Sequence, residues 1–164
     1  VFQLRIAGAV STPQAMPDEL GVAVAALPEP SVERELRLEE RMMGGGGGCG
    51  HKMGNMGPMF SINGEQYPDV TPLKAKLGTV EEWSLVNTTE MDHPFHLHGF
   101  RFQVVQGAGV EPTRRAWRDT IDVPAKATIK IRLKLEEHPG SWMFHCHILE
   151  HAELGMMGEL AVEK

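Results

Sequence analysis

The chain has 164 residues, of which 22 are acidic and 16 basic, for a formal net charge of −6. That length gives room for one domain of ordinary size plus an extension, and the negative balance argues against nucleic acid as a partner. No apolar run is long enough to span a membrane. The residues from Val1 onward carry neither the charged n-region nor the apolar h-region of a signal peptide.

In chain order, residues 1–10 hold an extended segment, Val1 to Ala7, that reads as the end of a preceding domain. Residues 11–30 carry four of the eleven prolines among small and acidic side chains, which suits a linker laid over a surface. Residues 31–164 form the domain proper. Strands are predicted over Val32 to Leu38, Met59 to Asn63, Thr79 to Asn87, Phe95 to Val105, Ala116 to Val123, Ala127 to Leu135, Ser141 to His145 and Met157 to Val162. In the clearest of them Ala127, Ile129, Ile131, Leu133 and Leu135 alternate with Thr128, Lys130, Arg132 and Lys134, the pattern of a strand with one buried and one solvated face. Many short strands at regular spacing, with no convincing helical period, make an all-β sandwich.

Between the first two strands sits an insertion at 42–58, with five successive glycines and a set of soft donors: Met42, Met43, Cys49, His51, Met53 and Met56, with Met59 just beyond. Glycine works against regular structure, so a plain flexible loop is one reading. Thioethers, a thiol and an imidazole are also ligands suited to cuprous copper. Five methionines within eighteen residues exceed what a plain linker needs, and both readings stay open.

The chemistry concentrates in two other places. His145-Cys146-His147 is followed by His151 and Met156, which supplies the thiolate, imidazole and weak axial thioether of a blue, type 1 copper centre. The second place is His93-Pro94-Phe95-His96-Leu97-His98. Side chains alternate across an extended strand, so His145 and His147 share one face and Cys146 takes the other. By the same parity His96 and His98 share a face and His93 tends toward the opposite one. Two metal environments are therefore implied back to back. His93, Cys146, His151 and Met156 converge on one, and His96, His98, His145 and His147 offer an all-imidazole surface to the other. A single His or Cys is more often a surface or satisfied core residue than a ligand. Here only His51 and His138, of eight histidines, fall outside the double pattern.

HPFHLHGF from His93 and HCHILEHAELGMM from His145 resemble the two copper signatures of the C-terminal domain of multicopper oxidases, the laccase and metallo-oxidase family. The resemblance covers roughly the last two thirds of the chain. It implies a cupredoxin-like Greek-key β-sandwich. It further implies that His93, Cys146, His151 and Met156 bind type 1 copper, that His96 binds type 2 copper, and that His98, His145 and His147 bind the type 3 pair, with Cys146, His145 and His147 as the catalytic link between the centres. The family oxidises an outer reductant, a phenol or Cu(I), Fe(II) or Mn(II), and reduces dioxygen to water in the periplasm or outside the cell. In the family half of the cluster's histidines come from an N-terminal domain, and this chain has no further His-X-His pair. The expectation is a C-terminal copper domain, inactive alone, that shares type 2 and type 3 copper with N-terminal domains of the same oxidase or with a second copy. Residues 1–10 are then the last strand of a preceding cupredoxin domain.

Two other functions compete. A single-domain blue copper electron carrier has no use for the His quartet, and a copper-binding protein built on the Met-rich insertion leaves the type 1 spacing unexplained. A closed zinc site would not call for the downstream Met. Cys49 is a poor disulfide partner for a Cys146 claimed by copper. Glu150 and Glu153 flank His151 and are expected to orient imidazoles as outer acceptors. Ala152 stands where several bacterial relatives carry a proton-feeding carboxylate, and Asp119 sits either near the cluster or in a pair with Arg118. Met156, in place of an apolar residue, suggests a copper potential at the lower end for the family.

Overall fold

The computed structural model describes residues 23–42, 58–107, 109 and 115–164, without the side chains of Met42 and Pro58. The expected strand remnant at 1–10, residues 11–22 of the linker, and Met43, Cys49, His51, Met53 and Met56 of the insertion lie outside the described residues.

The strands are β1 (Val32–Met42), β2 (Pro58–Ile62), β3 (Leu73–Lys76), β4 (Val80–Asn87), β5 (His93–Leu97), β6 (Phe102–Gln106), β7 (Thr120–Val123), β8 (Thr128–Lys134), β9 (Gly140–Cys146) and β10 (Met157–Glu163), with one short helix, α1 (Leu149–Glu153), before β10. They form two five-stranded sheets, ordered β2-β1-β4-β8-β6 and β3-β10-β9-β5-β7. This is the all-β, cupredoxin-like sandwich that the strand spacing and the copper signatures imply. No helix among the described residues is long and apolar enough to cross a membrane.

The period-2 pattern of β8 is what builds the core. Ile129, Ile131, Leu133 and Leu135 are fully buried, each contributing about 1.5–3 kcal/mol by leaving water. Trp83 of β4 meets Phe144 of β9 edge-on at 5.8 Å and ties the two sheets together. Glu81 is also fully buried, and its charge is paired rather than orphaned. Arg34 reaches it with Nε and Nη2 at 2.7 and 2.9 Å, and the Trp83 indole N–H donates to it at 2.7 Å. On the outer face of the first sheet, Arg132 donates to the carbonyls of Leu27 and Pro28, while Gln103 exchanges hydrogen bonds with Leu27 N and Ala25 O.

Several strand boundaries move. The run from Phe95 to Val105 is two strands in different sheets, because Gly99, at φ +75°, turns the chain where a Cβ would stand 2.4 Å from the Trp142 ring. The run Ala116 to Val123 shortens to β7, with only an isolated bridge from Arg118 to Phe102 before it. β1 continues four residues past Leu38, and Met42 pairs with Pro58, so the two ends of the insertion meet at the end of one antiparallel hairpin. Met59 lies inside β2 and is half-buried. β3 and α1 have no counterpart among the predicted strands.

Candidate metal centre

The site grows from one strand pair. β5 and β9 run antiparallel with Phe95 opposite Cys146, His96 opposite His145 and Leu97 opposite Phe144. Phe95, Leu97, Phe144 and Cys146 are buried between the sheets, and His93 shares their face at 0% exposure. The other parity carries His96, His98, His145 and His147 to the opposite face. The alternation that buries the core thus separates the two donor sets.

On the buried face Cys146 Sγ lies 3.6 Å from His93 Nδ1 and 3.6 Å from His151 Nδ1, and the two nitrogens are 3.1 Å apart. A point equidistant from the three atoms is about 2.0 Å from each, the range of metal–nitrogen and slightly short of metal–sulfur bonds. A soft thiolate with two imidazoles fits copper. Met156 is fully buried, and its carbonyl accepts the Cys146 N–H at 3.1 Å.

His151 reaches this point because the chain leaves β9, makes the single turn of α1 and returns. The turn ends at Gly155, φ +110°, where a Cβ would press on Gln66 Cγ at 2.5 Å and Phe60 O at 2.9 Å. Phe60 N and Gln66 Nε2 both donate to Leu154 O, so β2 and the turn after it clamp the helix end. Phe60 then stacks on His151, ring centroids 4.1 Å apart.

Burial sets the protonation of this face. Burial, reinforced by the charge of His151, pushes His93 down to about 4, and burial also lowers His151. Both imidazoles are therefore neutral and able to ligate near neutral pH. Burial raises the Cys146 thiol, so a metal must displace its proton to recruit the thiolate.

On the open face His98 Nε2 and His145 Nε2 are 3.0 Å apart. The His96 ring lies 4.8 Å from His98, 5.4 Å from His145 and 5.2 Å from His147. His96 Nδ1 is held by Asp119 O at 3.0 Å and Thr120 Oγ1 at 2.8 Å, and His145 Nδ1 by Cys146 O at 2.9 Å. With those nitrogens engaged, Nε2 is the atom each ring has left to offer a metal, and on His145 it meets His98 Nε2. Burial and the neighbouring imidazoles lower His96 and His98, which keeps them neutral. A cavity of about 520 Å³ adjoins this face, bordered by His96, His98, Arg101, Trp117 and His138.

Glu150 and Glu153 are exposed, and neither hydrogen-bonds an imidazole among the described residues. The orienting acceptors are Thr89 on His93, Asp119 O with Thr120 on His96, and Cys146 O on His145. Asp119 thus sits beside the open-face imidazoles and meets His96 through its backbone carbonyl. Thr89 and Phe60 carried no spacing signal in the sequence.

The profile of the multicopper oxidase family matches residues 49–164. A multicopper oxidase of Staphylococcus epidermidis is 36% identical over 118 residues, covering 68% of this chain and 26% of the relative. Among solved structures, a multicopper oxidase from Campylobacter jejuni described as a metallo-oxidase aligns with TM-score 0.70 and 37% identity over 85% of this chain and 31% of its own. One from the hyperthermophile Aquifex aeolicus aligns with TM-score 0.73 and 27% identity over 93% and 34%. The chain spans about a quarter of the length of the staphylococcal relative. With two metal-competent donor sets gathered around β5, β9 and α1 and a family match over most of its length, the chain belongs to the multicopper oxidase family.

Proposed function

We propose that this chain is the C-terminal copper domain of a larger oxidase, with type 1 copper at His93, Cys146, His151 and Met156, the type 2 ligand at His96, and the type 3 ligands at His98, His145 and His147. The observation that carries the reading is the parity around Cys146. Its Sγ meets two imidazoles on the buried face, while its two chain neighbours point to the open one. When bound, copper would supply one-electron acceptance from a reducing substrate, a phenol or a metal ion, at the buried face and reduction of dioxygen to water at the open one.

The protein's own part is positional. The backbone on either side of Cys146 is a continuous covalent path from Sγ to the rings of His145 and His147. Phe60 and the core exclude water from the buried set. His96, His98 and His145 each bring one ring nitrogen within 4.8 Å of the others at the open face, where histidines from N-terminal domains of the same oxidase, or from a second copy, would complete the ligand sphere. By family resemblance the work belongs in the periplasm or outside the cell.

Oxygen uptake with a phenolic reductant, with copper content measured in parallel, tests the reading. The 164 residues alone should bind about one copper tightly, accept an electron and fail to turn over oxygen. Adding the N-terminal part should restore turnover. Steady turnover by a verified monomer of this chain contradicts the proposal.

A further inference from the structure

Behind His93, on the side away from Cys146, lies a buried polar chain that the ligand set leaves unexplained. Thr89 and Asn87 are 4% and 2% exposed, and Thr89 Oγ1 stands 2.7 Å from His93 Nε2. The orientation of the Asn87 amide and the direction of the Thr89–His93 bond follow from which neighbours can only accept.

Asn87 Nδ2 faces three backbone carbonyls, Met91 O at 2.7 Å, Val123 O at 2.9 Å and Pro124 O at 3.1 Å. Carbonyls cannot donate, so the amide nitrogen must be the atom facing them and Oδ1 must face Thr89. Thr89 N donates to that oxygen at 2.9 Å. Thr89 Oγ1 then has two neighbours that can only accept, Asn87 Oδ1 at 2.9 Å and Met91 O at 3.1 Å, and one backbone donor, Met91 N at 3.2 Å. Its hydroxyl has a single proton. Asn87 Oδ1 already accepts from Thr89 N and Met91 O from Asn87 Nδ2, so neither is orphaned, but a proton spent on His93 would set both oxygens against Oγ1 with no hydrogen between, whereas one spent on either of them leaves a single such contact. Spent on Asn87 or Met91, it leaves an Oγ1 lone pair for His93, which must then supply the proton from Nε2.

We infer that Asn87 and Thr89 are positioning residues that lock His93 as its Nε2–H tautomer, so that the Nδ1 lone pair points at Cys146 before any metal arrives. This deepens the proposed type 1 site and rests on it for its purpose, though the tautomer itself does not depend on copper. The lock also fixes ring rotation, since the imidazole is held at Nε2 by a hydroxyl that meets Asn87 at the end of β4, and the Asn87 amide in turn reaches the carbonyls of Val123 and Pro124. A ligating imidazole whose outer N–H is engaged is oriented and more basic, and loss of such a partner typically weakens metal binding about 10–100-fold.

Two measurements on the full chain test the inference. Long-range ¹H–¹⁵N NMR of the metal-free protein should show His93 protonated at Nε2 and bare at Nδ1. Cu(II) affinity by competition should fall at least about tenfold in Thr89→Val and stay within about twofold of wild type in Thr89→Ser, which keeps the hydroxyl. The visible charge-transfer band of the wild type separates this inference from the site reading. If that band is absent, the type 1 assignment fails whatever the tautomer. If it is present but metal-free His93 carries its proton on Nδ1, or Thr89→Val binds copper as tightly as wild type, the lock is wrong. Should Thr89→Val fail to fold, the wild-type tautomer alone decides.

Discussion

Phe60 lies stacked on the imidazole of His151, with centroids 4.1 Å apart and planes 25° from parallel, and it meets His93 edge-on at 6.1 Å. It comes from β2, the strand that returns from the Met/Gly-rich insertion, so one aromatic side chain joins that hairpin to the proposed electron-accepting site.

Phe60→Ala should have two effects. Stability should fall by about 3–5 kcal/mol, the usual cost of emptying a buried aromatic site. The copper potential should also fall, because water admitted beside His151 favours the more highly charged cupric form. Phe60→Leu keeps an apolar cover and should shift the potential much less. Voltammetry on the copper-loaded variants, with thermal melts alongside, checks both, and an unchanged potential in Phe60→Ala would show that the stack does not shield the site.

Met156→Leu addresses the proposed axial position. Met156 is fully buried and its carbonyl is bound to Cys146 N, so a near-isosteric change should cost less than about 1.5 kcal/mol. Removing a weak donor that favours Cu(II) should raise the reduction potential while the visible colour persists. A fall or no change would point to Met157, or to no axial sulfur at all.

The sequence made the two donor faces legible because parity on a strand is a local property. His93 against His96 and His98, and Cys146 against its two neighbours, separate by counting in twos. What stayed hidden depends on partners distant in the chain. Phe60 and His151 meet only because β2 clamps the end of α1 through Leu154 O. The break at Gly99 inside an otherwise strand-like run is set by Trp142, which packs where a Cβ would sit. α1, at five residues, is too short to display a helical period, and the four residues of β3 gain their place by pairing with β10. Thr89 lies close to His93 in sequence, yet its role follows only from the fixed orientation of Asn87.

Acid stability should report on the outer face of the first sheet. The Arg132 guanidinium, with help from Lys130, holds the Glu82 carboxyl below its ordinary value. A depressed folded-state value means the stabilisation is complete above the unfolded value and is lost as pH falls through the folded one. Glu82→Gln should cost about 1.5–3 kcal/mol at neutral pH, the usual worth of a hydrogen bond to a charged group, since the Glu82 and Arg132 side chains are only 11% and 14% exposed. The gap should close toward acid. Urea melts across that range check it, and a gap that persists below the folded value would mean the carboxylate is not what Arg132 stabilises.

The most direct test of the account is the visible spectrum of the copper-loaded chain beside that of Cys146→Ser. A thiolate with two imidazoles on Cu(II), as the triangle of Cys146, His93 and His151 allows, should give an intense charge-transfer band, and serine, which supplies no soft donor, should abolish it. A colourless wild type, or a Cys146→Ser variant that keeps its band, would contradict the assignment of the buried face as a type 1 copper site.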